Sequence, residues 1–291
     1  MAKLSRYRKK DRVLKGGSMM KAAISCFVCA GDVQSIHSET TYDEVRCDDC
    51  GVTYVAPPPP PTVVIEAFGA DPIIHFSHGR EEVLAKFLRC AETLSHERKR
   101  GLLDVGCGAG TFLNVARRSG WTVSGVDINP VAIRVAKEHF DLQVTPGTIF
   151  DVVGLFDLIT FMQAVEYMPG DHAQVFATAR RLLSTDGLLG VETPNLDFHQ
   201  MLLRFKSARS QDKALRIAPQ CGSRLTPRAI RQLLKQVGFR NVWIFPGVPR
   251  KTEGVIGRLA RNILYWIANV LFVLSRKKHV LSPTMFVFAQ R

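Results

Sequence analysis

Apolar residues along positions 80 to 194 fall into two alternating patterns. "REEVLAKFLRCAETL" (80–94) repeats them at helical spacing, whereas "GLLDV" (101–105) is the short continuous run of a buried strand. "TFLNVARRSG" (111–120) predicts a helix closed by Gly120, and "WTVSGVDI" (121–128) predicts a second strand. "PVAIRVAKEHF" (130–140) predicts a helix with Pro130 in its first turn, where the missing N–H costs nothing. "FDLITF" (156–161), "HAQVFATARRLLSTDG" (172–187) and "LLGVETP" (188–194) continue the alternation. The fold expected is α/β, a parallel sheet with helices on both faces.

The first of these strands runs into a loop of small residues, "GLLDVGCGAGTFL" (101–113), with Gly106, Gly108 and Gly110 two apart and Asp104 just before them. Glycines in such a turn let backbone approach a ligand closely, and strand-to-helix turns of this kind hold nucleotide-like molecules. The spacing is G-x-G-x-G, not the G-x-G-x-x-G of dinucleotide folds. Asp127 ends the neighbouring strand, where its carboxylate is placed to accept hydrogen bonds from two ribose hydroxyls. The alternative role for Asp127 is to cap the helix that starts at Pro130.

Charge divides the chain into three parts. The composition is ordinary for a globular protein, with 46% hydrophobic and 22% charged residues, but the net charge is +13. Residues 1–21 carry +7, residues 22–203 carry −10 and residues 204–291 carry +16. An acidic middle suits a cationic ligand, and basic ends suit an anionic surface or substrate; a merely solvated basic surface is the plainer reading. The basic start has no apolar run behind it, so no secretory signal is expected. Residues 1–20 read as a basic tail, with disorder expected over about the first eighteen, and Met19 or Met20 is an alternative start.

Seven cysteines point to a reducing compartment, where clusters hold metals more often than they form disulfides. Cys26, Cys29, Cys47 and Cys50 form C-x2-C-x17-C-x2-C, the spacing of a four-thiolate zinc ribbon over residues 21–56. A closed four-thiolate site is structural and, on this reading, remote from catalysis; redox dithiols or a metal-free ribbon are the alternatives. Pro57 to Pro61 follow, a polyproline spacer of about 15 Å. Residues 62–291 then form the main domain.

"LLDVGCGAGTFL", "VSGVDINP", "FDLITFMQAVEYMPG" and "GLLGVETPNLD", in this order, resemble class I S-adenosylmethionine-dependent methyltransferases. The resemblance covers about residues 80–247 and a last strand at "PTMFVFAQ". It implies a Rossmann-like sheet of seven strands with the last antiparallel. It implies too that Gly106, Cys107, Gly108 and Gly110 meet the methionine end of the cofactor, above Asp104. Asp127 would take the ribose, Ile128, Thr148 and Ile149 would flank the adenine, and Met162 completes the pocket. With the ribbon and "SRLTPRAIRQLLKQVGF", the chain is similar to the ubiquinone-biosynthesis O-methyltransferase branch. That implies O-methylation of a small molecule, or of a lipid- or glycan-pathway intermediate, in the cytoplasm.

The branch pattern H-x-x-E-H reads Gln163-Ala164-Val165-Glu166-Tyr167 here, so both histidines are replaced. Methyl transfer from a sulfonium relies on in-line positioning, and an oxygen nucleophile must also lose a proton unless it is already acidic. Gln163 can orient an acceptor, Glu166 is the candidate base, and His199, His75 and His78 are further candidates. Two other functions compete. A zinc-ribbon RNA methyltransferase fits the basic ends, but "FMQAVEY" lacks the Asn/Asp-Pro-Pro-aromatic motif, which argues against nucleic acid. A cofactor-binding protein that has lost catalysis fits the missing histidines.

Between about 255 and 275 lies an amphipathic helix. Arg258, Arg261, Asn262, Tyr265 and Asn269 form a polar stripe opposite a broad apolar face. Its uncharged run, Asn262 to Ser275, makes about 21 Å of helix against a bilayer core of about 30 Å, too short to span. Two placements are open: in the plane of an anionic inner membrane surface, or packed on the sheet as core.

Overall fold

The computed structural model describes residues 25–39, 41–69, 80–95, 100–168, 172–203, 221–248 and 255–291; no side chain is described for 255–258, 260 and 261. His75, His78 and the basic tail lie outside the described residues.

Three short strands build the ribbon: β1 (Val33–Ser38), β2 (Asp43–Cys47) and β3 (Thr53–Ala56). Two helices, α1 (Pro61–Gly69) and α2 (Glu81–Leu94), lead into the main sheet. The alternation then follows the sequence pattern: β4 (Gly101–Val105), α3 (Thr111–Arg118), β5 (Thr122–Asp127), α4 (Pro130–Phe140), β6 (Val144–Pro146), β7 (Phe156–Met162), α5 (His172–Leu182) and β8 (Leu183–Pro194). The C-terminal part adds α6 (Leu196–Leu203), β9 (Ser223–Arg224), α7 (Pro227–Gln236), β10 (Arg240–Pro246), α8 (Val255–Leu274) and β11 (Thr284–Gln290).

Seven strands pair in the order β10-β11-β8-β7-β4-β5-β6. β11 runs antiparallel to both of its neighbours, and the other pairings are parallel. This is the mixed Rossmann-like sheet the resemblance implies. β4 lies at the centre, with β5 on one side and β7 on the other, so chain order reverses there. The carboxyl ends of strands at such a reversal open a crevice for ligands.

The two sheet faces bury separate clusters. On one, Phe87 of α2 meets Phe286 and Phe288 of β11, with ring centroids 5.0 and 4.8 Å apart. The other continues without a break from Ile159, Phe176 and Leu233 into the ribbon residues Cys26, Cys47, Val52 and Tyr54.

The proline run therefore does not hold the ribbon at a distance. β9, from the far end of the main domain, pairs with β3 as a fourth strand of the ribbon sheet. Val55 N–H donates to the Gly222 carbonyl at 3.0 Å, and Pro59 is buried. Pro61 is already the first residue of α1. The ribbon alone has too little apolar surface to fold, and docking gives its inner face a shared core.

Candidate functional site

The glycine loop is fixed by the carboxylate that follows it in the next strand. Asp127 Oδ2 accepts from Gly108 N–H at 2.7 Å, and Oδ1 accepts from Asn129 N–H at 2.8 Å. Gly106 and Cys107 N–H groups both donate to the Val126 carbonyl. Gly108 has φ +54°, and a Cβ there would meet nothing within 4 Å among the described residues, so its side toward the cavity is open. Gly110, at φ +80°, instead caps α3, and a Cβ on it would stand 2.6 Å from Leu142.

Helix capping ahead of Pro130 falls to Asn129, not Asp127. Asn129 Oδ1 accepts from Val131 and Ala132 N–H groups. Thr148 caps the short 3-10 turn Ile149–Asp151, and its N–H and Oγ1 both donate to Asp151 Oδ2.

These residues surround a cavity of about 350 Å³. Asp104, Gly106, Cys107, Gly108, Asp127, Ile128, Thr148, Ile149 and Met162 line it; Gly110 stands behind the loop. Asp104 is 1% exposed. Its Oδ1 accepts from Thr160 Oγ1 at 2.8 Å, while the buried Oδ2 has no partner among the described residues. Burial pushes its pKa to about 8, against the Thr160 hydrogen bond, which lowers it. Asp127 is also raised by burial, against the opposing pull of the Asn129 and Gly108 N–H groups.

The candidates for catalysis separate. Gln163 lines the cavity and adopts a left-handed backbone, φ 55°, uncommon for a residue with a side chain. Its Oε1 accepts from Arg80 Nη1 at 3.2 Å and its Nε2 donates to Glu192 Oε1 at 3.1 Å. Arg80 Nη2 reaches Glu192 Oε2 at 2.7 Å, closing a three-residue network in which Glu192 is buried.

Glu166, four residues beyond the end of β7 in a 3-10 turn (Val165–Tyr167), is not among the lining residues. It is buried and accepts from Thr193 Oγ1 at 3.2 Å, and burial lifts its pKa to about 7. His199 sits on α6, exposed, with Nε2 3.1 Å from the Pro283 carbonyl. Neither meets the cavity as a base would, because the 3-10 turn directs Glu166 inward and α6 carries His199 to the β11 approach.

Three contributions escaped the sequence reading. Arg80 and Glu192 are 112 positions apart and meet only through the fold; the visible signal was an acid directly after the apolar run Leu188–Val191 of β8. α1 brings Val64, Ile65 and Phe68 to the cavity, and Pro61 at its first position was the signal hidden in the proline run.

In the ribbon the four cysteine sulfurs lie within 4.8 Å of one another. Cys26 Sγ is 3.6 Å from Cys50 Sγ, and Cys29 Sγ is 3.3 Å from Cys47 Sγ. Four thiolates at the usual zinc–sulfur distance of about 2.3 Å stand about 3.8 Å apart, so the cluster fits a tetrahedral ion. Val28 N–H already points at Cys26 Sγ, at 3.4 Å.

A methyltransferase-domain family model matches residues 75–243, more than half of the chain. The chain belongs to that family. It is similar to the ubiquinone biosynthesis O-methyltransferase of Thiobacillus denitrificans, 31% identical over 125 residues, covering 40% of this chain and 53% of the relative. The same enzyme of Actinobacillus pleuropneumoniae is 33% identical over 107 residues, covering 32% and 45%. The chain thus spans about half the length of the curated relatives it matches. Among solved structures, magnesium protoporphyrin IX methyltransferase of Synechocystis, with bound SAH, superposes with TM-score 0.52 at 14% identity, covering 80% of this chain and all of that one. A SAM-dependent methyltransferase of Archaeoglobus fulgidus gives 0.50 at 18% identity, covering 73% and 94%. At these identities the structures attest the fold.

Proposed function

We propose that the protein transfers a methyl group from S-adenosylmethionine to an oxygen of a small-molecule acceptor, drawn from a lipid or glycan pathway, in the cytoplasm. The observation that carries this reading is the Oδ2 of Asp104, unpartnered among the described residues and buried beside a glycine loop whose open side faces the same cavity. That oxygen would accept from the cofactor's ammonium group, and the sulfonium favours the acidic surroundings. Asp127, already clamping Gly108 and Asn129, keeps free lone pairs for the ribose. Ile128, Thr148, Ile149 and Phe150 would hold the adenine; Cys107 and Met162 would complete the wall.

When bound, the cofactor supplies an activated methyl group, and the chain's part is to hold the acceptor in line with it. Gln163 is the group we assign to orient the acceptor, itself braced by Arg80 and Glu192. An amide cannot take a proton near neutrality. Among the described lining residues the carboxylates are Asp104 and Asp127, both on the cofactor side. This favours an acceptor hydroxyl acidic enough to ionise without a strong base, such as a phenol. We further propose one zinc ion on Cys26, Cys29, Cys47 and Cys50, closed to substrate and structural in role.

Supplying deuteromethyl S-adenosylmethionine to the protein with a cell extract, then searching untargeted for mass-shifted products, tests the reading. A methylated hydroxyl compound is expected. Methylated RNA instead would select the nucleic-acid reading, and cofactor binding with no product would select the binding-only one.

A further inference from the structure

We infer that the outer face of α8 docks in the plane of an anionic membrane surface. α8 is turned inside out relative to a helix packed on a core. Among its described side chains the buried ones are Ala268 and Phe272, one turn apart, with Phe272 against Phe245 of β10 at 6.1 Å between ring centroids. Tyr265 and Asn269 lie on this same inward side, half-buried; Asn269 Nδ2 donates to the Tyr265 carbonyl at 2.7 Å. The Lys86 ammonium from α2 stands 4.3 Å from the centre of the Tyr265 ring. The described part of the polar stripe thus turns mainly toward the protein, with Asn262 exposed at its edge.

The apolar face points the other way. Ile263, Leu264, Trp266, Ile267, Leu271 and Leu274 are all exposed, Trp266 by 66% and Leu274 by 72%. A helix that buried its apolar face on the sheet would show the reverse order. The reading of this face as ordinary core is therefore overturned. A continuous apolar surface of this kind marks an interaction site.

Charge selects the occupant. From Gly254 to Arg291 the chain carries six Lys/Arg and no acidic residue. Arg276, Lys277 and Lys278 follow the helix directly and are exposed. Cations beside an apolar helical face match anionic headgroups over acyl chains. No helix among the described residues is long and apolar enough to cross a membrane, so α8 lies flat and sinks its outer face alone. The inference uses no residue of the cavity and stands apart from the methyl-transfer reading.

The test uses the full zinc-loaded chain with phosphatidylcholine vesicles, alone or mixed with phosphatidylglycerol. Expected are co-sedimentation with the anionic vesicles at low salt, its loss at high salt, and a blue shift of tryptophan emission. Trp121 is buried and Trp243 half-buried, so the shift reports mainly on Trp266. The double variant Leu264→Glu, Leu271→Glu should bind vesicles at least about tenfold more weakly. Its melting temperature should stay the same, since both positions are exposed. Failure of anionic vesicles to sediment the protein at low salt would overturn the inference. So would a stable dimer in sedimentation velocity that the double variant splits, because a second copy would then cover the face.

Discussion

Thr226 Oγ1 donates to the Cys50 carbonyl at 2.7 Å, a buried hydrogen bond between residues 176 positions apart. The same oxygen accepts from Ala229 N–H at 3.0 Å as the cap of α7. One hydroxyl thus ties the second cysteine knuckle to a helix of the main domain. Thr226→Val keeps the shape and removes both bonds, so we expect a loss of about 2 kcal/mol in chemical denaturation. A loss within error would mean that the ribbon is only loosely seated.

The ribbon reaches the acceptor side of the cavity through β9. Tyr54 pairs with Ser223, and Gly222 N–H donates to the Glu166 carbonyl at 2.8 Å, within the turn that follows Gln163. Phe27 of the first knuckle stacks on His172, with ring centroids 4.9 Å apart. Metal removal is therefore expected to loosen more than residues 21–56, contrary to a ribbon remote from catalysis. Hydrogen exchange with chelator should show faster exchange at Gly222 and Tyr167 as well as in the ribbon. Unchanged protection at those two amides would restore the remote reading.

Arg80 and Glu192 are expected to act as a pair. Arg80→Met leaves the Glu192 carboxylate buried without its cation, at a cost of about 3 kcal/mol. Arg80→Met with Glu192→Gln should recover most of that loss. Thermal melts of the two single variants and the double complete the cycle; additive losses would show that the pair is not coupled.

Asp104 links cofactor binding to pH. Its folded value of about 8 lies above the ordinary 3.8, so between these the native state keeps a proton that the unfolded state has lost. Stability of the empty protein from this group falls as pH rises across that window and levels off above it. A bound cation favours the ionised form, so binding at about pH 7 should release a proton and at about pH 9 should not. Calorimetry in buffers of differing ionisation enthalpy measures this. Asp104→Asn should raise the melting temperature of the empty protein, weaken cofactor binding and abolish the proton release.

Glu166→Gln tests the base. Glu166 points to Thr193, away from the cavity, so the variant should keep its rate and its pH profile for product formation. A folded variant with cofactor affinity intact and turnover lost would put Glu166 back in the chemistry.

What could be read in advance followed from how local each signal was. The glycines and Asp104 sit within one short loop, and Asp127 follows at the next strand end, so the motif itself located the cofactor-facing wall. Arg80 and Glu192 gain meaning only when β8 and the start of α2 converge, which no local pattern encodes. The two residues of β9 are too few to show a strand period, and without them the ribbon looked like a tethered appendage. For α8 the two faces were legible, but which one meets solvent depends on Phe245, Phe272 and Lys86 coming together.

One cavity, built by Asp104, Gly108 and Asp127, is the proposed cofactor site, and titration calorimetry with S-adenosylmethionine tests it most directly. The full zinc-loaded chain should bind one molecule per chain. Asp127→Ala should weaken that binding by roughly 1.5–3 kcal/mol, while Glu166→Gln leaves it unchanged. Equal affinity in Asp127→Ala and the parent, or no binding by a folded parent protein, would contradict it.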